Sequence, residues 1–270
     1  MMRLGFVLLI VFAFGAIKLP IEHKLSAQES VLPARRGGSD SRMDRHLHLR
    51  GNKLDLNLRE KLGQLGFIAA LSGFRSIVAD ILFIQAHIAW ERMEWSRVLL
   101  LFRQVTTLQP RSVLFWDMAA WHMAWNASVA ALNDPAQARA ALRIKAQREY
   151  FALGKDFLER GIMNNPDEPR LYESLARLYK DKYNDHALAS EFFAKAAALP
   201  GAMSYNKRFA AYELSYVAER EREAYDQLHR LYDAGAHERL PTLIARLKFL
   251  EDKLDIPRDR RIPDTESLNR

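Results

Sequence analysis

The sequence predicts an all-α protein, a string of antiparallel helix hairpins preceded by one short apolar N-terminal segment. Three observations carry that expectation. From Leu54 to Leu254 apolar residues recur three and four positions apart, the spacing that gathers them on one face of a helix. Proline and glycine fall between these segments, where helices stop. No stretch sustains the every-second-residue alternation of a half-buried strand. Over 270 residues, 49% hydrophobic side chains supply a core and 27% charged residues cover it, so wholesale disorder is excluded.

The N-terminal segment comes first, as residues 1–25. Leu4 to Ile17 contains no polar side chain before Lys18 and Pro20 end the run. At about 1.5 Å per residue it covers roughly 21 Å, short of a ~30 Å hydrocarbon core unless Arg3 and Lys18 snorkel. That length leaves an uncleaved anchor and a cleaved signal peptide both open. Leu25-Ser26-Ala27 puts a large leucine where a cleavage site wants a small residue, which favours the anchor. Arg3 lies on one side and Lys18, Lys24, Arg35 and Arg36 on the other, a count that opposes outward placement of the helical body. A short apolar run at the extreme N-terminus argues the other way, for export.

Residues 26–53 form a flexible polar linker, with Pro33, Gly37-Gly38, many serines and arginines and no helical period. His46 and His48 form an H-x-H pair there, and without further ligands nearby no metal site is expected.

The helical body spans 54–254. The spacing predicts helices near 55–72, 74–92, 95–108, 112–131, 135–163, 169–181, 185–199, 203–219, 221–233 and 239–253. The run Leu62 to Phe74 is apolar apart from Gln64 and Ser72, but too short for a second span, and reads as a buried helix. Just beyond it, Arg75 and Asp80 are charges in an apolar surround, expected to satisfy each other or to cap a neighbouring helix. The longest helix opens with Asp134 as cap and Pro135 at its first position. Most loops hold two to six residues, which forces antiparallel neighbours. The last helix lines up Leu243, Leu247, Leu250 and Leu254 as a terminal cap, and 255–270 reads as a disordered tail.

Internal similarity refines this layout. In 169–200, Tyr172, Leu175, Ala176 and Tyr179, then Ala189, Phe193 and Ala196, then Pro200, resemble the tetratricopeptide repeat (TPR), with one residue inserted at the hairpin turn. The pattern has a packing reason: small residues at Ala176 and Ala189 let two helices approach, and Tyr179 and Phe193 fill the space beside them. A second repeat fits 79–110 through Leu82, Ala86, Phe102, Val105 and Pro110, with Val98 where the family prefers alanine. A third begins at Trp116, Ala119 and Ala120, is interrupted by an insertion through Pro135, and resumes at Gly154, Leu158, Gly161 and Pro166. A fourth, degenerate, holds Ala210, Ala211 and Leu214, then Ala224, Leu228 and Leu231. The resemblance implies a right-handed superhelical solenoid. The block from Gly63 to Ala131 is also similar to an uncharacterised bacterial family of membrane-anchored TPR-like proteins, which supports the layout of anchor and solenoid and implies no known reaction. With the export reading of the N-terminal run, the expected location is a bacterial inner membrane, single-pass, with a periplasmic helical body.

All five tryptophans fall between Trp90 and Trp125, whereas every tyrosine lies at 150 or later. By the TPR resemblance, the concave ligand-facing positions are Phe83, His87 and Trp90, then Asp117, Trp121 and Trp125, then Glu173, Arg177 and Lys180, then Arg208 and Tyr212. One end of that groove would be aromatic and the other basic, suited to a peptide with an acidic or carboxylate end. The alternative is that the tryptophans pack against the insertion helix and fill the groove from within. The lysine and asparagine of chaperone-tail clamps are replaced by Phe83, His87, Asp117 and Trp121, which disfavours that ligand. His122 and Asn126 read as a buried polar network, because no nucleophile or acid stands at recognisable spacing.

Zero cysteines remove disulfides, thiolate metal sites and cysteine nucleophiles together, and no phosphate loop, H-E-x-x-H or G-x-S-x-G is present. Forty lysines and arginines against 33 acids give +7 and a pI near 9.6, yet the two signs alternate along helix faces, so no nucleic-acid surface is expected. The expectation is therefore a membrane-tethered adaptor binding a protein or peptide, with no catalysis, cofactor, metal or small-molecule substrate. The alternative is a structural subunit of an envelope or secretion-type assembly, with its Trp-rich face permanently buried.

Overall fold

A computed structural model describes residues 73–263, and among them every regular element is helical. The chain divides between Arg45 and His46, and all described residues lie in the second part. The expected anchor (1–25), the linker (26–53) with His46 and His48, and the helix at 55–72 lie outside the described residues. Among the described helices, none is long and apolar enough to cross a membrane.

The helices are α1 (Arg75–Glu91), α2 (Trp95–Leu108), α3 (Val113–Trp121), α4 (Ser128–Leu132), α5 (Ala140–Asn164), α6 (Pro169–Leu178), α7 (His186–Ala198), α8 (Tyr205–Leu214), α9 (Glu221–Asp233) and α10 (Pro241–Lys253). A π-helical turn, His122–Ala127, joins α3 to α4 without a break, and a second, Tyr179–Tyr183, extends α6. Each helix packs on its neighbour in sequence except α3 and α4, which the π-turn joins end to end; α5 lies along both and the turn between them, and α3 also touches α6.

Local chemistry sets most boundaries. Pro169 and Pro241 open α6 and α10 at positions that need no N–H. The Asp185 carboxylate accepts from the Leu188 N–H at 2.9 Å and caps α7. Arg75 donates to the Leu108 carbonyl through Nε at 3.1 Å and Nη2 at 2.6 Å, so it caps the C-terminus of α2. Asp80 has no ion-pair partner among the described residues. The insertion differs from expectation at its start: Asp134 accepts from the Ala136 N–H and Gln137 from the Arg139 N–H, and these local bonds hold the chain in turns until Ala140.

The tightest packing lies between α5 and α3 with its π-turn. A Cβ on Gly154 would stand 2.6 Å from the Ala124 Cβ and 3.0 Å from the Ala120 carbonyl oxygen, and one on Gly161 would stand 2.9 Å from the Trp116 Cβ. Trp116 is fully buried there and donates from Nε1 to the Pro110 carbonyl at 2.9 Å. One apolar cluster runs through α1 to α7, a second through α8 to α10, and Ala176, Phe193 and Ala210 form a small group between them.

The expected disordered tail needs correction as far as Pro263. Ile256 and Ile262 are buried on the second cluster, the Ile262 N–H donates to the buried Glu251 carboxylate at 2.7 Å, and Lys248 donates to the Ile262 carbonyl at 2.6 Å. Two isoleucines set among charged residues escape a composition-based reading, yet they suffice to cover the end of the core.

Candidate functional site

The first-helix positions singled out in the sequence divide into an aromatic group on α1, α3 and the first π-turn, and a polar group on α6 and α8. His122 sits at the centre of the aromatic group. Its ring centroid lies 5.4 Å from Trp90, 5.3 Å from Phe102 and 5.1 Å from Trp121. Trp90 in turn lies 5.0 Å from His87, and Phe83 packs on Phe102 and Phe115. The Asn126 amide meets the His122 Nδ1 at 3.3 Å, the polar contact that the sequence led us to expect. Burial lowers the His122 pKa to about 4, and charge on nearby His87 pushes the same way, so His122 is neutral near pH 7.

Exposure differs sharply within this group. Trp116 is core; Trp90, Trp95 and Trp125 are half-buried against the apolar cluster; Trp121 remains 43% exposed, and His87 is exposed beside Trp90. Trp125 is covered by Lys182, whose Nζ lies 5.1 Å from that ring and 5.6 Å from Phe151. Burial pushes the Lys182 pKa down. The tryptophans are thus partly a packing device and partly an open surface.

Most of the polar group is consumed internally. Asp117 on α3 accepts from Arg170 Nε at 2.8 Å and Ser174 Oγ at 2.6 Å, both on α6. Glu173 on α6 accepts from Arg177 at 2.8 and 3.0 Å and from the Tyr205 hydroxyl of α8 at 2.8 Å. Arg208 on α8 donates to Glu238 at 2.8 Å, with both side chains largely buried. Lys180 is exposed, 3.5 Å from Asp181. Tyr212, expected to face a ligand, is buried instead, and its hydroxyl finds no hydrogen-bond partner among the described residues. Burial accordingly raises its pKa.

The structure therefore brings Phe83, His87, Trp90 and Trp121 together, sets Trp125 under Lys182, and ties Asp117, Glu173, Arg177 and Arg208 into links within and between helices. Sequence reasoning missed the partners Arg170, Ser174, Tyr205 and Glu238, and no spacing signal could have found them, because each meets its partner across tens of residues. Among the described residues no group of three or more His, Asp or Glu side chains could hold a metal ion.

Comparison with protein-family models and with curated proteins gives no match for this chain.

Proposed function

We propose that the chain is a membrane-tethered, TPR-like adaptor that binds a protein or peptide in a groove along its first helices, without catalysis. Its apolar N-terminal segment would anchor it in a bacterial inner membrane with the helical body on the periplasmic side. Two features support the repeat reading. Trp116, Ala120 and Met123 occupy the same places on α3 and its π-turn as Tyr172, Ala176 and Tyr179 on α6 and its own, and the two helices touch. Repeating units that stack in this way leave a continuous face open to a ligand. The observation that carries the binding reading is the exposed indole of Trp121, packed on the same buried His122 ring as Trp90, an aromatic anchor of the sort that dominates interface energies.

The test is photo-crosslinking in intact membranes, with the crosslinker at position 87 of the full chain. One defined partner should be captured, Trp121→Ala should abolish the capture, and Arg177→Ala, whose guanidinium already serves Glu173, should leave it intact. Equal capture by all three proteins, or none, would overturn the groove assignment. A partner that never dissociates under dilution would point to the second reading, a subunit whose Trp-rich face is permanently covered.

A further inference from the structure

We infer that the aromatic end of this groove takes a cationic side chain of its partner, an arginine or lysine seated on Trp121 and Trp90, and not an acidic or carboxylate end. The inference rests on the groove reading above and specifies its ligand chemistry. Three observations carry it. The first is the convergence of rings around His122: Trp90 and Trp121 approach it from different helices at 5.4 and 5.1 Å, and His87 lies 5.0 Å beyond Trp90. Indole faces attract cations through the ring quadrupole, more strongly than the rings of Tyr or Phe do.

The second is the sign of the charges on the same stripe of α1. Asp80, His87 and Glu91 recur at helical spacing on that helix, all exposed. Asp80 has no ion-pair partner among the described residues, and Glu91 meets only His87, at 3.6 Å. Asp117, one turn before Trp121, is held by Arg170 and Ser174 and so is close to neutralised. Of the cations near these elements, Arg75 caps α2, Arg97 pairs with Glu94 at 3.1 Å and Lys182 is seated on Trp125, while Arg92 beside Glu91 is exposed.

The third is what became of the basic end. An acidic peptide would need Arg177 and Arg208 free, yet they are bound to Glu173 and Glu238 at 2.8 Å. Displacing Glu238 would strand a largely buried carboxylate, and displacing Glu173 would leave it only the Tyr205 hydroxyl, costs that an incoming carboxylate offsets in part. The molecule already shows the arrangement in its own chain, since Lys182 lies over Trp125 and Phe151. Trp121 offers the same kind of face, uncovered.

The experiment is a titration of the full chain in detergent, read by the indole Nε1–H resonances, with Trp121→Phe to assign the relevant one. The probes are the capped pentapeptide Ala-Arg-Ala-Arg-Ala, the same peptide with neutral citrulline for arginine, and Ala-Glu-Ala-Glu-Ala. The arginine peptide should move the Trp121 and Trp90 signals and leave buried Trp116 still. Citrulline should weaken binding about fivefold, and Asp80→Asn with Glu91→Gln about threefold, on the scale of exposed cation–π and surface charge contacts. Equal binding of the citrulline peptide, or preference for the glutamate peptide, would overturn the cationic ligand while leaving the crosslinking result for the groove untouched. A Trp121 signal that no probe moves, because another part of the chain or a permanent subunit covers it, would overturn it as well.

Discussion

The two halves of the described chain join their first helices by different means. From α1 to α5 the joints are apolar: rings converge on His122, and glycines on α5 let its backbone approach Trp116 and Ala124. From α6 to α10 apolar packing is supplemented by ion pairs and hydrogen bonds between side chains, Glu173 to Tyr205 and Arg208 to Glu238, with Asp117 to Arg170 and Ser174 at the boundary. An apolar joint leaves polar ligand chemistry at its surface unspent, whereas a polar joint uses up the charges that a ligand would need. That difference is why the proposed binding surface lies in the aromatic half, although the sequence alone suggested a basic contribution from the other.

The comparison breaks most visibly at Gly154. In an exposed helix interior glycine-to-alanine would gain about 1 kcal/mol. Here the added methyl meets the Ala124 Cβ at 2.6 Å and backbone at 3.0 Å, with nothing flexible to yield. Gly154→Ala should therefore destabilise the protein by about 3 kcal/mol, the upper end of overpacking costs. Chemical denaturation of the full chain checks this, and an unchanged or raised midpoint would show that α5 does not lie as closely on α3 as described.

Acid should act next, and through the aromatic half. The folded-state pKa of His122 is lowered from 6.5 to about 4, chiefly by burial. A group whose folded pKa is depressed binds more protons when unfolded, so its contribution is complete above pH 6.5 and is lost as pH falls toward 4. By pH 5 the loss relative to pH 8 should be about 2 kcal/mol. His122→Phe, which keeps a ring against Trp90 and Trp121, should remove that portion of the pH dependence whatever it does to stability at pH 8. An identical slope in the variant would place the acid sensitivity elsewhere.

The legibility of each feature in the sequence depends on range. Helices α2 and α9 begin and end where the apolar spacing puts them, because periodicity and turn residues are local. The Arg75 cap and the His122–Asn126 contact are also within reach, since few alternatives exist for a charge or imidazole in an apolar run. The role of Arg208 is not, because Glu238 lies thirty residues on, in a short turn without a pattern of its own. Tyr212 is misplaced for a related reason: one helical position decides between groove and core, and the degenerate fourth repeat does not fix the register. Ile256 and Ile262 are hidden by their charged neighbours.

The polar half offers the smallest effect and the sharpest discrimination. Arg208 and Glu238 are mostly but not wholly removed from water, at 17% and 9% side-chain exposure, so their attraction is partly offset by desolvation. A double-mutant cycle with Arg208→Met and Glu238→Gln should give a coupling of about 1 kcal/mol, with each single variant costing more than the double because it leaves the other charge behind. The same two variants should leave the Trp121 indole response to the arginine peptide unchanged, since the pair ties α8 to the turn before α10 and offers no charge to a ligand. A coupling near zero, with arginine-peptide binding altered by either variant, would mean that Arg208 is free to act at the groove after all, and the division between an open aromatic half and a self-satisfied polar half would fall.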